Sequence, residues 1–363
     1  MGKIRLGTGK IGKIYIGSTP VKKLYAGTVQ VWQSGYDAYN IVVREGENVV
    51  LYDVQGNKLN EINSSAILRM TSDDYYIYVL WGDQNEYRIK MYDFSLNEVD
   101  SVLLPDKNTP NMNTDYYANN NLVAANKKMM FNSKSVGSQM GFIDLNKDKS
   151  VHYVDVTYAG SSSLRQEFYY DKNTDCFYSR RGDLLQRLNE TTYEWEDTDY
   201  LGFISNNPTR YSSWHTTFIG GLSNMLCCGE YHLYSEGLQY IHNNKEKVVK
   251  YNNTKGDLNI ISYVMLDEKT PFFYARGMKI GTVHDLLNPI VEVEDLEDLT
   301  TGRYGYSSMY KHPYKNIILI PLNRNTIPEI CVYDYDLKTY TVFQCTYKAT
   351  TVQSCNAITV PKQ

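Results

Sequence analysis

An all-β chain is predicted, in which a small N-terminal three-strand β-meander precedes a β-propeller of about seven blades. Three observations carry this. The first 33 residues repeat every ten positions, a strand ending in Tyr-Asp and a turn recurs further along, and helical periodicity is nearly absent from the 363 residues.

The meander comes first. Lys3-Ile4-Arg5-Leu6-Gly7-Thr8 becomes Lys13-Ile14-Tyr15-Ile16-Gly17-Ser18 and then Lys23-Leu24-Tyr25-Ala26-Gly27-Thr28; Ile11, Val21 and Val31 keep the step, and Trp32 closes the run. Each unit reads as a short alternating strand ended by Gly-Thr or Gly-Ser, because glycine reaches the positive φ of a tight hairpin turn. A sheet this small, without cysteines or a ligand cluster, cannot offset its chain entropy; modules below about 40 residues need a metal, disulfides or a partner. Residues 1–33 are therefore expected to attach or oligomerise. The contacts would be Ile4, Ile14, Tyr15, Leu24, Tyr25, Val31 and Trp32, with Gly17 and Gly27 at the turns.

Two nucleotide motifs in this stretch are decoys. Gly7, Gly9 and Gly12 fit Gly-x-Gly-x-x-Gly, and Gly7 to Lys13 fits a Walker A loop until Ile14 replaces the Ser or Thr that holds magnesium. Both chemistries need a helix opening directly after the glycines, and Ile14-Tyr15-Ile16 followed by Pro20 is a strand and a turn.

The run from Lys13 to Trp32 resembles the K-I-Y-x-G-x-x-x-V decapeptides at the ends of tailed-bacteriophage virion proteins, notably in crAss-like phages of gut Bacteroidales. The resemblance covers under a tenth of the chain, and the first unit departs from it at Arg5 and at Gly9-Lys10. Terminal repeats are often atypical. The resemblance implies a structural protein of a phage tail or fibre, made in the bacterial host cytoplasm and carried in the virion. Its repeats would dock on other virion proteins or drive homo-oligomerisation, and its propeller would contact a neighbouring virion protein or a host surface glycan. Two other readings stay open: a virion-associated glycan-cleaving propeller enzyme, and a bacterial surface-glycan-binding protein.

Composition narrows the classes. The net charge is −4 with acids and bases interspersed, so no nucleic-acid partner is expected. Met1 to Leu6 lacks the apolar core of a secretory signal, Leu6 fails the myristoylation pattern, and the longest apolar run, Ile317 to Leu322, is far short of the ~20 residues of a membrane span. No membrane insertion is expected. The 34 tyrosines suit half-buried strands and would equally suit stacking on sugar rings. The six cysteines, Cys176, Cys227, Cys228, Cys331, Cys345 and Cys355, contain no Cys-x-x-Cys and read as buried free thiols in strands.

Residues 34–39 read as a linker and 40–363 as the propeller. Val49 to Leu59 is a strand, turn and return strand around Tyr52-Asp53; Arg88 to Val99 repeats it around Tyr92-Asp93; Phe142 to Leu145 and Cys331 to Leu337 echo it. Asp53 to Asp93 is 40 positions and Asp93 to Asp144 is 51, close to the ~40–50 residues of a four-stranded blade. Hairpins over Leu184 to Tyr200, Val248 to Ile261 and Met278 to Val293 bring the count to seven, with six and eight also compatible. One strand, Asn40 to Arg44, precedes the first Tyr-Asp hairpin, so Ala357 to Val360 is expected to complete that blade and remove the open edge. Pro105 to Asn121 and Gly202 to Ser213 would be loops on one rim.

No catalytic, cofactor or metal site is assigned. His152, His215, His232, His242, His284 and His312 have no ligand spacing, and neither a Gly-x-Ser-x-Gly elbow nor a sialidase-type Ser-x-Asp-x-Gly-x-Thr-Trp box occurs. Paired carboxylates meet in space and stay open as an enzymatic route. The acidic run Glu292, Glu294, Asp295, Glu297 and Asp298 lacks calcium-loop spacing, and Arg181-Gly182-Asp183 is explained by a hairpin turn.

Overall fold

The computed structural model describes residues 14–33, 39–105, 122–155, 168–201, 216–250, 260–296, 309–348 and 355–362, less short breaks within those spans. Every regular element among them is a β-strand. For residues 14–33 and 216–250 the description is of the backbone pairing alone.

The N-terminal module differs from the expected meander. Strands β1 (Ile14–Ile16) and β2 (Thr19–Val21) pair antiparallel, as do β3 (Lys23–Ala26) and β4 (Val29–Gln33), giving two separate two-stranded sheets. Gly17-Ser18 and Gly27-Thr28 fall between paired strands, so ten residues hold a whole hairpin rather than one strand.

Seven four-stranded antiparallel sheets follow among the described residues. Blade 1 contains β5–β7 (Tyr39–Glu45, Asn48–Tyr52 and Lys58–Asn63). Blade 2 is β8–β11 (Ile67–Ser72, Ile77–Gly82, Tyr87–Tyr92 and Glu98–Leu104). Blade 3 is β12–β15 (Leu122–Ala125, Lys128–Asn132, Gln139–Asp144 and His152–Asp155). Blade 4 is β16–β19 (Phe168–Asp171, Cys176–Arg181, Leu184–Asn189 and Glu194–Leu201). Blade 5 is β20–β23 (Thr216–Leu222, Met225–Glu230, Gly237–His242 and Lys245–Lys250). Blade 6 is β24–β27 (Ile260–Met265, Pro271–Ala275, Lys279–His284 and Ile290–Asp295). Blade 7 is β28–β31 (Tyr310–Lys311, Ile317–Arg324, Ile327–Asp334 and Thr339–Gln344), and β32 (Cys355–Pro361) returns to blade 1.

The ring closes as expected. β32 pairs with β5 from Cys355↔Glu45 to Pro361↔Tyr39, supplying blade 1 with its innermost strand. Inner strands of successive blades touch all the way round, β8 to β12, β16, β20, β24, β28 and β32, and β32 meets β8 again. Seven blades is the count the sequence suggested. The hairpin expected over Val248 to Ile261 is not one, because β23 and β24 belong to different sheets; the outer hairpin of blade 5 is β22–β23.

The core lies between blades. From β5, Ile41 and Val43 pack on blade 7 residues such as Ile330 and Phe343, while Val42 packs on blade 2 residues such as Ile77 and Val79. From β29, Ile317 and Leu319 face blade 1, while Ile318, Ile320 and Leu322 face blade 6. Both faces of β5 and of β29 are thus covered, which turns the usual apolar-polar alternation into continuous apolar runs in these inner strands. Burying each such side chain contributes roughly 1.5–3 kcal/mol.

Candidate functional site

Four antiparallel strands per blade sort the connections onto two faces. First-to-second and third-to-fourth strand turns share one face; second-to-third turns and the links between blades share the other. Blade 1 begins with its second strand, so the chain enters at Tyr39 on the first face, and β32 ends opposite it at Pro361 on that same face. This is termed the terminal face. The expected long loops lie outside the described residues beyond Pro105, but the strands flanking them, β11 and β12, and β19 and β20, fix their exits on the opposite face.

The terminal face is built from one repeated turn. Asp53 Oδ1 accepts from Gln55 N and Asn57 N, both at 2.9 Å, and Asp53 Oδ2 accepts from Asn57 Nδ2 at 2.8 Å. Forty residues on, Asp93 Oδ1 accepts from Ser95 N at 2.9 Å and Asn97 N at 2.8 Å, with Asn97 Nδ2 on Oδ2 at 2.9 Å. Asp144 accepts from Asn146 N, and Asp334 from Asp336 N and Leu337 N, each at 3.0 Å. Asn189 does the same in blade 4, holding Thr191 N at 2.9 Å. Aspartate and asparagine serve here because a short side-chain oxygen reaches the amides two to four residues on. The Asn57 side-chain hydrogen bond holds Asp53 below its ordinary value; at Asp93 burial acts upward and the bonds from Asn97 outweigh it.

Nearer the axis, neighbouring blades are stapled. Asp73, between β8 and β9, accepts from Tyr75 N at 2.7 Å, Tyr76 N at 3.0 Å and the Tyr78 hydroxyl at 2.9 Å, and from Lys127 N of blade 3 at 2.7 Å. Burial still raises its pKa against those four donors. Asn126 Nδ2 in turn donates to Asp175 Oδ1 and to the Tyr170 hydroxyl of blade 4, each at 2.8 Å, and Lys128 Nζ lies 3.4 Å from Asp175. At the entry point Tyr39 stands edge-on to His312, centroids 4.9 Å apart, with Lys315 Nζ 5.3 Å from the Tyr39 ring. Burial, then Lys315 and Lys311, lower the His312 pKa to about 3, so the imidazole is neutral, and its Nδ1 accepts from Lys315 N. These groups are consumed in holding the ring together.

Of the attachment residues read from the sequence, Ile14 and Tyr15 lie on β1, Leu24 and Tyr25 on β3, and Val31 and Trp32 on β4. Trp32 is paired with Leu24, and a bulge follows between Leu24 and Tyr25. Ile4, Gly17 and Gly27 lie outside the described residues. Among the described residues no cluster of three His, Cys, Asp or Glu is arranged to hold a metal ion, and no helix is long and apolar enough to cross a membrane. Of the histidines, His152 is stacked on Tyr193 at 3.8 Å.

Fold and faces together define a seven-bladed β-propeller. No family model and no curated protein matches the chain. Solved structures similar to it include apo AztD from Citrobacter koseri, at TM-score 0.55 and 12% identity over 89% of this chain and 98% of that one. A putative 6-phosphogluconolactonase from Bacteroides uniformis matches at TM-score 0.53 and 9% identity, over 89% and 99%. A quinonprotein alcohol dehydrogenase-like protein from Bacteroides thetaiotaomicron matches at 0.51 and 12%, over 90% and 77%. At such identities the likeness is one of fold alone.

Proposed function

We propose that the chain is a structural protein of a bacteriophage tail or fibre, with its N-terminal hairpins docking on a virion protein or on further copies of itself. Residues 1–33 are its attachment module and the stretch after them its linker, which ends one residue earlier than the sequence suggested because Tyr39 already opens β5 of the propeller. The observation that carries this reading is the repeat itself, two backbone-paired hairpins of three to five residues per strand. A two-stranded hairpin is marginal in water and takes its stability from a partner surface. The ring, by contrast, closes without them through β32 and β5. The chain enters at Tyr39 on the terminal face, so a module docked there leaves the opposite face of the ring directed away from the particle, toward a host surface glycan or a neighbouring virion protein.

Light scattering on the full chain beside a chain starting at Ser34 tests the attachment role. The full chain is expected to form a defined oligomer and the shorter one to stay a folded monomer. Equal oligomerisation of the two would remove the repeat from assembly and overturn the reading.

A further inference from the structure

We infer that Cys345 and Cys355 form a cross-linking site, at which a disulfide pins the connection between blade 7 and β32, the strand that closes the ring. Cys345 directly follows β31, the outermost strand of blade 7, and Cys355 opens β32, the innermost strand of blade 1. The two residues share one apolar cluster with Ile41, Val43 and Phe343 and are 5% and 4% exposed.

Three contacts fix them. Cys345 N donates to Pro328 O at 2.9 Å, Cys355 is paired with Glu45, and the Glu45 carboxylate accepts from Tyr347 N at 2.6 Å and from the Cys345 thiol. Both thiols are free, and they lie in the same buried cluster at the seam. The shared cluster, with Cys355 paired to Glu45 and Glu45 bound to Tyr347 two residues beyond Cys345, brings the two side chains to one place, as a disulfide requires. The other described thiols lie elsewhere, Cys331 in the seam between blades 6 and 7 and Cys176 in blade 4.

The chemistry is thiol–disulfide exchange with a small-molecule disulfide. One cysteine thiolate attacks it, forming a mixed disulfide and expelling one small thiolate. The second cysteine then attacks the protein sulfur, forming the Cys345–Cys355 bond and expelling the other. The two protein sulfurs are oxidised, the small disulfide is reduced to two thiols, and the two cysteine protons end on them. Burial raises the Cys345 pKa and slows the reaction in the closed ring, so the link forms as the ring closes or when the seam opens locally.

The test uses the full chain with oxidised glutathione, once folded and once during refolding from urea, followed by alkylation and peptide mapping by mass spectrometry. A Cys345–Cys355 peptide is expected as the dominant pairing in at least the refolding arm, with the intact mass lower by two hydrogens. The linked protein should melt roughly 3–6 °C above the reduced one. Cys345→Ser and Cys355→Ser should each abolish both the link and the shift while the reduced variants keep the far-ultraviolet spectrum of the wild type. A refolded propeller in which the two cysteines are alkylated, or paired with other cysteines, overturns the proposal. So does a linked protein that melts with the reduced one.

Discussion

Blades 1 and 2 carry the same outer hairpin forty residues apart, Tyr52-Asp53 with Asn57 and Tyr92-Asp93 with Asn97, yet they are held in different ways. Blade 2 is continuous in sequence, and its Asp73 reaches forward to Lys127 of blade 3. Blade 1 is assembled from both ends of the ring and secured by bonds across the closure as well as to blade 2. Asn356 Nδ2 crosses the closure to Met70 O at 2.9 Å, while Arg44 donates to Ile67 O of blade 2 at 3.4 Å. The Tyr52 hydroxyl, held within blade 1 by Glu45 Oε1, accepts across the closure from Thr346 N at 2.9 Å, and the Tyr347 hydroxyl reaches Glu61 at 2.5 Å. The shared hairpin is therefore a local device, while the closure is a long-range one whose partners stand up to 302 positions apart.

The largest test of that difference is removal of residues 355–363. It strips β32 from β5, removes Ala357, Ile358 and Val360 from the core and opens Ile41, Val42 and Val43 to water, and is expected to abolish cooperative unfolding altogether, a loss as large as the whole ~5–15 kcal/mol of a typical domain. Circular dichroism melts would read this, and a retained sharp transition would show that β32 is dispensable.

Next comes the left-handed position that the two hairpins share but fill with different residues. Gly56 has φ +84°, and a Cβ there would stand 2.4 Å from Phe343 Cβ; Leu96 holds the equivalent left-handed conformation at φ 67° with its side chain buried. Gly56→Ala should cost about 2–4 kcal/mol from overpacking and backbone strain together. Leu96→Gly relieves strain while losing burial, so its cost should be about 1–2 kcal/mol. Urea midpoints of the pair decide the order.

Smaller effects come from the shared turn. Asp53→Ala and Asp93→Ala each remove an acceptor serving three donors, and each should cost about 1–2 kcal/mol in denaturant titrations. Near equality is the point; a large gap would mean the turns are not equivalent.

The smallest effect is one of sign with pH. Burial raises Glu45 above its ordinary 4.5, whereas the bonds from Asn57 hold Asp53 below its ordinary 3.8. A raised carboxyl binds its proton more tightly when folded, so its contribution declines as pH rises from the unfolded value through the folded one. A depressed carboxyl contributes fully above its unfolded value and loses this as pH falls through the folded one. Glu45→Gln should therefore gain on the wild type as pH climbs above about 4.5, and Asp53→Asn should lose ground as pH climbs toward about 4. Parallel slopes in the two titrations would refute the assignment.

Much of the ring was legible because its signals are local. Tyr52-Asp53, Tyr92-Asp93 and Tyr333-Asp334 announce their turns within six residues, and Ala357 to Val360 is apolar enough to demand a strand partner. Asn189 was missed because asparagine follows Leu188 there, so neither letter of the Tyr-Asp signature is present, although the turn is the same. Blade 5 was misdrawn because Val248, Val249 and Ile260, Ile261 look like one hairpin across a link between two blades. The decapeptides misled for another reason: strands of three residues are too short for alternation to separate one strand from two. Glu45 and the thiols beside it carried no sequence signal, since what defines them is a partner from the other end of the ring.

The pairing of β5 with β32 also sets a schedule for synthesis. β5 is among the first propeller strands to leave the ribosome and β32 is the last, about 315 residues later. At the usual ~5–20 residues per second, the inner edge of β5 stays unpaired for roughly 15–60 s. Throughout that interval Ile41, Val42 and Val43 border an open strand of the kind that recruits other chains. Crowded translation of this chain should therefore favour aggregation of nascent molecules over that of finished ones, and any factor that shields the early blades would raise the yield of closed rings.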